Sequence, residues 1–338
     1  MSSLAVKYRP KKWDEVLGQD SIVKILSQQL INHDFKNTYI FSGATGCGKT
    51  TTARIFANEI NNFVGEPIEI DAASNNSVDN VRNIVSLATE RSLAGEYKIF
   101  ILDEAHMLST QAWNAFLKCI EEPPKYTIFI FCTTDPQKIP DTIKNRCMRF
   151  NFTRIPIDLI NKKLQLVCKE EGFVDKDSVC DYISRICNGE MRNALSMLEM
   201  CADYSNELTI ENAVNALGNF SYDTFFNLIN KVIDCDKVST LDIINNIHNL
   251  GSDLNLFVKS FLEFVLDVNK YLLTNDISIT KIPKVLEQTL SYSIKFDGAI
   301  KYYSYYIDNL LHLKNMLKND NDPKSTIEVI FLKMCELK

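Results

Sequence analysis

Short apolar runs alternate with amphipathic segments over the first 153 residues of the chain. The apolar runs are rich in Ile, Phe and Tyr, as strands buried on both faces of a parallel sheet usually are. They lie at residues 39–41, 67–72, 98–105 and 127–134. Between them, residues 78–90 and 110–122 repeat apolar side chains at helical spacing. This alternation predicts an α/β fold with a parallel sheet over residues 1–153.

The strand pattern disappears after about residue 154, and helical spacing takes its place. Four short amphipathic segments reach Gly218, which predicts a small helical domain over residues 154–218. Longer amphipathic segments then predict a helical C-terminal domain over residues 219–338. Its clearest apolar stripe covers residues 254–272, and charged residues interrupt that stretch. We therefore expect a buried amphipathic helix there and not a membrane span.

The stretch "SGATGCGKTT", residues 42–51, matches the pattern Gly-x-x-x-x-Gly-Lys-Thr through Gly43, Gly48, Lys49 and Thr50. An apolar run precedes it and a helical segment follows, which is the context in which this pattern binds phosphates. Glycines let the backbone wrap an anion, and the free N–H groups at a helix start attract negative charge. We expect Lys49 to reach the β- and γ-phosphates and the Thr50 hydroxyl to bind Mg²⁺; an ordinary glycine turn is the alternative. The other loop residues predicted to contact the nucleotide are Ala44, Thr45, Gly46, Cys47 and Thr51.

Two acidic residues, Asp103 and Glu104, end the apolar run that begins at residue 98. Open α/β sheets bind ligands at the carboxyl ends of their strands, so Asp103 would help to hold Mg²⁺. Glu104 would then orient or deprotonate the attacking water, which favours hydrolysis over simple binding. An acidic turn after a strand is the alternative. His106, two residues further on, is predicted to be a structural histidine.

Three more residues could respond to the nucleotide. Thr134 ends an apolar run and offers a hydroxyl near the γ-phosphate, where it could sense whether that phosphate is present. Arg146 follows twelve residues later, and a guanidinium suits the equatorial oxygens of a phosphoryl-transfer transition state. Arg192 lies near a helix start in the small helical domain and could couple the angle of that domain to the nucleotide state. Taken alone, each arginine could equally be an ordinary surface residue.

Composition narrows the function classes. With a net charge of −6, any nucleic-acid contact has to come from a local patch and not from a basic surface. Ten cysteines without a Cys-x-x-Cys pair predict reduced thiols and no structural zinc. The first residues lack the apolar run of a signal peptide, so we expect a cytoplasmic protein without a membrane partner. ATP is favoured over GTP because no Asn-Lys-x-Asp motif occurs.

Six segments, in this order, resemble the clamp-loader family of AAA+ ATPases, and within it the bacterial motor subunits called gamma or tau. They are residues 7–20, 41–54, 68–83, 102–124, 133–147 and 189–199. The most specific of them contain "LDEAHMLSTQAWNAFLKCIEEPP" and "TTDPQKIP". Beyond Gly218 the resemblance extends only to length and helical character. Bacterial gamma subunits also carry a four-cysteine zinc module ahead of residues 68–83, which this chain lacks.

The resemblance implies a role for each matching residue. Arg146 would be an arginine finger supplied to the ATP of a neighbouring subunit, Thr134 would be the first sensor and Arg192 the second. The segment that would cradle adenine contains Tyr8, Arg9 and Pro10, although its basic cluster could also be a solvated arm. The residues that would follow the DNA backbone are Asn76, Ser77 and Thr110.

The implied function is the ATP-driven motor subunit of a replication clamp loader. ATP and Mg²⁺ at subunit boundaries would stabilise a pentamer that opens a sliding clamp and places it on primer–template DNA, with the 219–338 domains as its collar. One alternative is another AAA+ DNA motor such as a branch-migration helicase, which would need a translocating hairpin and usually a winged-helix domain. The other is a non-hydrolytic stator subunit, against which four intact residues argue: Lys49, Thr50, Asp103 and Glu104.

Overall fold

The computed structural model describes residues 3–92, 94–174, 176–205 and 207–336, and five strands in these residues form one sheet. The strands are β1 (Thr38–Gly43), β2 (Ile68–Asp71), β3 (Lys98–Asp103), β4 (Thr127–Thr133) and β5 (Met148–Phe152). Every pair is parallel, and the order across the sheet is β2-β3-β4-β1-β5. The predicted α/β class with a parallel sheet, followed by helical regions, is therefore confirmed.

The helices follow the predicted alternation and then fill the rest of the chain. They are α1 (Leu4–Lys7), α2 (Asp20–Asn32), α3 (Lys49–Ile60), α4 (Val78–Thr89), α5 (Thr110–Glu121), α6 (Asp141–Lys144), α7 (Ile157–Glu171), α8 (Asp177–Ile186), α9 (Met191–Tyr204), α10 (Ile210–Ala216), α11 (Tyr222–Ile233), α12 (Lys237–Asn249), α13 (Leu254–Thr274), α14 (Glu287–Ser293), α15 (Ala299–Met316) and α16 (Pro323–Met334). Four of them, α7 to α10, lie where four short helices were predicted.

Side chains of the sheet alternate between two separate cores, because successive residues of a strand point to opposite faces. Phe129 and Phe131 of β4 pack into the core that α4 and α5 cover. Ile128 and Ile130 of the same strand pack into the core that α2 and α3 cover. With all seven residues of β4 buried, this strand reads as one apolar run and not as an alternation.

Strand β5 was not predicted from the pattern. It is an edge strand, and it pairs only with β1 among the described strands. Phe150 and Phe152 are buried while Arg149 and Asn151 are exposed, so its five residues alternate and give no apolar run. Strand β5 begins two residues after Arg146, so it fixes the backbone next to that residue.

Contacts divide the chain into two compact units, one of residues 1–163 and 187–196 and the other of residues 164–186 and 197–338. The first unit contains the sheet and its covering helices. The second has its own core around α13, where Phe257, Phe261 and Val265 are fully buried. The stripe predicted at residues 254–272 is thus a buried amphipathic helix. Within the described residues no helix combines the length and apolarity needed to cross a bilayer.

Candidate nucleotide-binding and catalytic site

The phosphate loop connects the end of β1 at Gly43 to the start of α3 at Lys49. Gly48 precedes the helix with φ +102°, and Gly46 has φ +68°. A Cβ atom added at Gly43, where φ is +153°, would lie 2.5 Å from the carbonyl oxygen of Phe152 in the paired strand. Only glycine fits that position, because an L side chain would have both a strained backbone and a clash with β5.

Lys49 is buried, and its ammonium group lies over its own loop. The Nζ atom donates hydrogen bonds to the carbonyl oxygens of Gly43 at 3.0 Å and Ala44 at 2.9 Å. A buried ammonium needs partners, and these two carbonyls supply them without a second charged side chain. The cation therefore stands at the mouth of an anion-binding helix start, where it can turn to a phosphate.

Thr50 and Asp103 meet although 53 residues separate them in the chain. The Thr50 hydroxyl donates to Asp103 Oδ2 at 3.0 Å, and Asp103 Oδ1 accepts the backbone N–H of Glu104 at 3.0 Å. A hydroxyl and a carboxylate are hard oxygen ligands, and Mg²⁺ at nucleotide sites needs only one or two such groups besides phosphates and water. The residues present therefore fit Mg²⁺.

Glu104 follows β3 in the left-handed backbone region, with φ +48° and ψ +42°. Its Oε2 atom accepts a hydrogen bond from Thr134 Oγ1 at 3.1 Å and lies 3.3 Å from His106 Nδ1. The same His106 nitrogen lies 3.2 Å from Thr133 Oγ1. His106, predicted to be structural, does have a hydrogen-bond partner in Thr133, but it also lies at ion-pair distance from the candidate catalytic glutamate. The sequence offered no signal for that contact.

The position of Thr134 follows from strand order. It comes directly after β4, which lies between β3 and β1 in the sheet. The carboxyl ends of neighbouring parallel strands share one edge of the sheet. Thr134 therefore stands between the acidic residues at the end of β3 and the phosphate loop at the end of β1, as a residue that senses the γ-phosphate would have to.

A cavity beside the phosphate loop brings the predicted adenine segment to the same place. Tyr8, Arg9 and Pro10 line it together with loop residues 46–52 and Asp103. Arg192 lines it too, and the backbone N–H of Met191 donates to the carbonyl oxygen of Gly46 at 3.1 Å. Sequence reasoning missed other members of the lining, namely Ala5, Leu17, Ile155, Lys163, Met191 and Leu195. Leu17, Met191 and Leu195 lie in the family-like segments 7–20 and 189–199, but the resemblance assigns them no role. Ala5, Ile155 and Lys163 lie outside every such segment, and only the fold assembles them.

Lys163 is the charged member of that missed set. Its Nζ atom lies 5.9 Å from the ring centroid of Tyr8, and the Nζ atom of Lys7 lies 5.5 Å from the same ring. Both distances are within the range of cation–π attraction. One aromatic ring of the adenine segment is thus flanked by two cations.

Arg146 lies at the amino ends of the parallel strands, whereas the phosphate loop lies at their carboxyl ends. Its carbonyl oxygen accepts a hydrogen bond from the hydroxyl of Thr38, the first residue of β1, at 3.0 Å. The loop follows the last residue of the same strand, and five strand steps of about 3.3 Å place about 17 Å between the two ends. The structure therefore brings six of the predicted residues to the carboxyl ends of the strands and does not bring Arg146 to them. The six are Lys49, Thr50, Asp103, Glu104, Thr134 and Arg192.

The residues predicted to follow DNA lie at two adjacent helix starts. Ser77 precedes α4 and its hydroxyl accepts the backbone N–H of Asn80, so that this oxygen already serves as a helix cap. Thr110 is the first residue of α5, and the backbone N–H of Ser109 lies 3.5 Å from the carbonyl oxygen of Asn76. Asn76, Ser77 and Thr110 are all exposed, and the two helix starts give this surface a positive dipole end.

Comparison with known proteins gives this geometry a family. The chain is 32% identical to the DNA polymerase III subunit tau of Bacillus subtilis over 97% of its own length. It is 32% identical to the DNA polymerase III subunit gamma/tau of Mycoplasma genitalium over 89% of its length. The chain belongs to the DNA polymerase III gamma/tau family. It spans 62% and 53% of the lengths of these two gamma/tau relatives.

Two further similarities concern a part of the chain and its fold. Residues 67–156 match the family described as DNA polymerase III, delta subunit. The Thermotoga maritima RuvB Holliday junction branch migration motor shares the fold, with a TM-score of 0.53 over 73% of this chain and 86% of that one. Sequence identity to RuvB is 16%, so this likeness concerns the fold alone.

Proposed function

We propose that this gamma/tau-family chain is the ATP-driven motor subunit of a replication clamp loader. In this proposal it opens a sliding clamp and places it on primer–template DNA, as part of a pentamer with other loader subunits in the cytoplasm. Residues 154–218 act as the lid over the nucleotide, and residues 219–338 form the collar that joins subunits. ATP and Mg²⁺ are its cofactors, and no zinc is required.

One observation carries the proposal: the position of Arg146 relative to the phosphate loop of its own chain. A distance of about 17 Å along β1 is far beyond the reach of an arginine side chain that is fixed at Thr38 through its own backbone. A finger at this place can serve only a nucleotide bound to another subunit. Such an arrangement makes hydrolysis depend on assembly, which is what a loader that responds to its clamp and DNA requires.

The roles of the remaining residues follow from their positions. Lys49 neutralises charge on the β- and γ-phosphates, and Arg192 approaches from the lid side of the cavity. Thr50 and Asp103 would hold Mg²⁺, which would supply charge stabilisation to the phosphate oxygens. Glu104 orients the attacking water once Thr134 releases or redirects its carboxylate. Catalysis by these groups consists of positioning and electrostatic stabilisation.

A branch-migration motor is the second candidate, because the RuvB fold matches with a TM-score of 0.53. The gamma/tau relatives favour the loader, since they share 32% identity along 97% and 89% of this chain. Residues 219–336, which the structure describes without a gap, contain only helices as regular elements. For the helicase we expected a winged-helix domain in that region. A stator without hydrolysis is disfavoured by the paired Thr50 and Asp103.

The test is subunit complementation in a purified assembly with its clamp and primer–template DNA. Arg146→Ala should leave ATP binding nearly unchanged and lower turnover by about 10³-fold, the effect of trans-acting arginines. Lys49→Ala should abolish binding. Mixing the two variants should restore part of the turnover, since some junctions then combine an intact loop with an intact finger.

The matched control is Arg91→Ala, which removes an exposed arginine stacked on Tyr126 in the same unit. We expect normal turnover from it. Absence of any recovery in the mixed assembly would contradict a finger supplied across subunits. Turnover that ignores both clamp and DNA would contradict the loader function itself.

A further inference from the structure

The guanidinium of Arg146 is held by two neighbouring groups in the single chain. Its NH2 atom forms an ion pair with Glu121 Oε1 at 2.7 Å. Its NH1 atom donates to the backbone carbonyl oxygen of Thr142 at 2.6 Å. Both partners belong to the same unit as Arg146, and both terminal nitrogens of the side chain are thereby engaged.

The two contacts differ in what they can do. Thr142 lies in α6, four residues before Arg146, so its carbonyl moves with the arginine backbone. Glu121 is the last residue of α5 and lies 25 positions away in the chain. It carries a full negative charge that competes directly with phosphate oxygens for the guanidinium. Of the two partners, only the carboxylate is therefore an electrostatic rival of the nucleotide.

The exposure of this pair shows how strongly it can hold. The side chains of Arg146 and Glu121 are 40% and 47% exposed, so water screens their attraction. Exposed ion pairs shift an equilibrium by at most about fivefold. A pair of this strength keeps the side chain in one orientation and still yields to a triphosphate, which offers several charged oxygens in a more enclosed place.

We propose that Glu121 is a positioning residue that restrains the arginine finger of its own subunit and thereby lowers hydrolysis at the neighbouring one. The inference rests on the proposed function, because it needs Arg146 to act on a partner's nucleotide. For the finger to act, the guanidinium has to exchange the Glu121 carboxylate for γ-phosphate oxygens. An Arg146 side chain that is paired with Glu121 is therefore not available for catalysis at the neighbouring subunit.

The experiment compares Glu121→Gln with the wild type in the assembly, at saturating ATP and without DNA. Glutamine keeps the size of the side chain and removes its charge, so the finger is released more often. We expect kcat to rise about twofold to fivefold with KM unchanged, because the finger acts in the transition state and not in ground-state binding. The ratio of kcat with DNA to kcat without DNA should therefore fall.

Two controls separate this role from a structural one. Glu122→Gln removes the neighbouring exposed carboxylate, which forms no ion pair with Arg146, and should leave kcat unchanged. In the double variant Glu121→Gln with Arg146→Ala, the rise should disappear, since there is no finger left to release. A rise that persists without Arg146 would overturn the inference.

A second readout uses the isolated chain and needs no turnover. Phenylglyoxal modifies accessible guanidinium groups, and mass spectrometry of the peptide containing Arg146 gives its rate. Glu121→Gln should raise that rate at least about twofold, in line with the strength of an exposed pair, whereas Glu122→Gln should not. An equal rate in all three proteins, or an unchanged kcat of Glu121→Gln, would overturn the restraint. Full activity of Arg146→Ala would instead reject the trans-acting finger, and with it the inference.

Discussion

The hydroxyl of Thr134 donates a hydrogen bond to Glu104 Oε2 at 3.1 Å. A residue at the end of β4 therefore holds the acidic residue that follows β3, the neighbouring strand. The same carboxylate oxygen also lies 3.3 Å from His106 Nδ1. Glu104 Oε2 is thus turned toward protein partners, and we expect the carboxylate to reorient when it faces a water beside the γ-phosphate.

Glu104→Gln should separate binding from hydrolysis. The carboxamide has the same size and can still accept the Thr134 hydrogen bond, so ATP affinity should stay nearly unchanged. It cannot take a proton from water, and turnover should fall by about 10²- to 10⁴-fold. Fluorescent nucleotide titration and steady-state phosphate release measure the two effects. Glu96→Gln, an exposed glutamate before β3, is the control, and equal turnover in both variants would remove Glu104 from the catalytic role.

The pair of Thr50 and Asp103 predicts where Mg²⁺ contributes to binding. Thr50→Ala and Asp103→Asn should each weaken ATP affinity by about tenfold to a hundredfold in Mg²⁺, as loss of a charge-assisted contact does. In EDTA both should bind as the wild type does. The double variant should bind ATP only slightly less tightly than whichever single variant binds it less tightly, because both changes disrupt the same coupled pair. Isothermal titration with and without Mg²⁺ tests this, and a loss of affinity that is equal in EDTA would speak against a metal role.

Arg185 predicts a stability effect in the second unit. Its side chain is 2% exposed and pairs with Asp181 Oδ2 at 2.9 Å, while NH1 donates to the carbonyl oxygens of Ile277 at 3.0 Å and Thr280 at 2.7 Å. Arg185→Ala leaves a partly buried carboxylate and two carbonyls without these donors and should lower the free energy of unfolding by about 3 kcal/mol.

Chemical denaturation of the whole chain measures this loss as a lower midpoint concentration of denaturant for unfolding of the second unit. Arg82→Ala is the matched control, because Arg82 and its partner Asp79 are 70% and 85% exposed. Its effect should stay below about 1 kcal/mol. Equal effects of the two substitutions would mean that the buried pair does not stabilise the unit.

Two helix-capping aspartates predict acid sensitivity. Hydrogen bonds from the hydroxyl and the backbone N–H of Ser239 lower the pKa of Asp236, and those from Ser325 lower the pKa of Asp322. A folded-state pKa below the unfolded value of about 3.9 means that this stabilisation is present above that pH and is lost as the pH falls through the folded pKa. Replacing both by Asn, which also caps helices, should keep Tm near pH 7 and reduce its fall at pH 3.

Thermal unfolding at both pH values measures the difference. Asp308→Asn, an exposed aspartate within α15, is the control and should leave the fall in Tm as in the wild type. A double Asn variant that loses as much Tm at pH 3 as the wild type would show that the capping carboxylates do not cause the acid sensitivity.

Much of the first unit could be predicted because its signals are local. The four apolar runs correspond to β1 to β4, of which β1, β3 and β4 are buried on both faces, whereas β2 is half-buried and has exposed acidic residues. The phosphate loop is a contiguous strand–loop–helix segment, so the conformation of residues 43–51 depends on neighbours in the chain. Strand β5 escaped prediction because its two buried phenylalanines alternate with the exposed Arg149 and Asn151 and form no apolar run.

Contacts between distant residues could not be derived in the same way. The partner of Arg146, Glu121, lies at the end of a helix whose pattern says nothing about its last exposed residue. Lys163 reaches the ring of Tyr8 from α7 without any motif. His106 meets Glu104 because a short turn after β3 brings its ring back over the strand end.

By itself the sequence determined the phosphate loop, the acidic strand end and the division into an α/β part and helical parts, because each depends on neighbours in the chain and on their apolar spacing. Only the tertiary structure decided that Thr134 stands between Glu104 and the phosphate loop and that Arg146 stands at the amino ends of the strands. The physical reason is strand order. Which strand pairs with which, and hence which strand ends share an edge, is set by packing of the whole sheet and is not written in the pattern of any one segment.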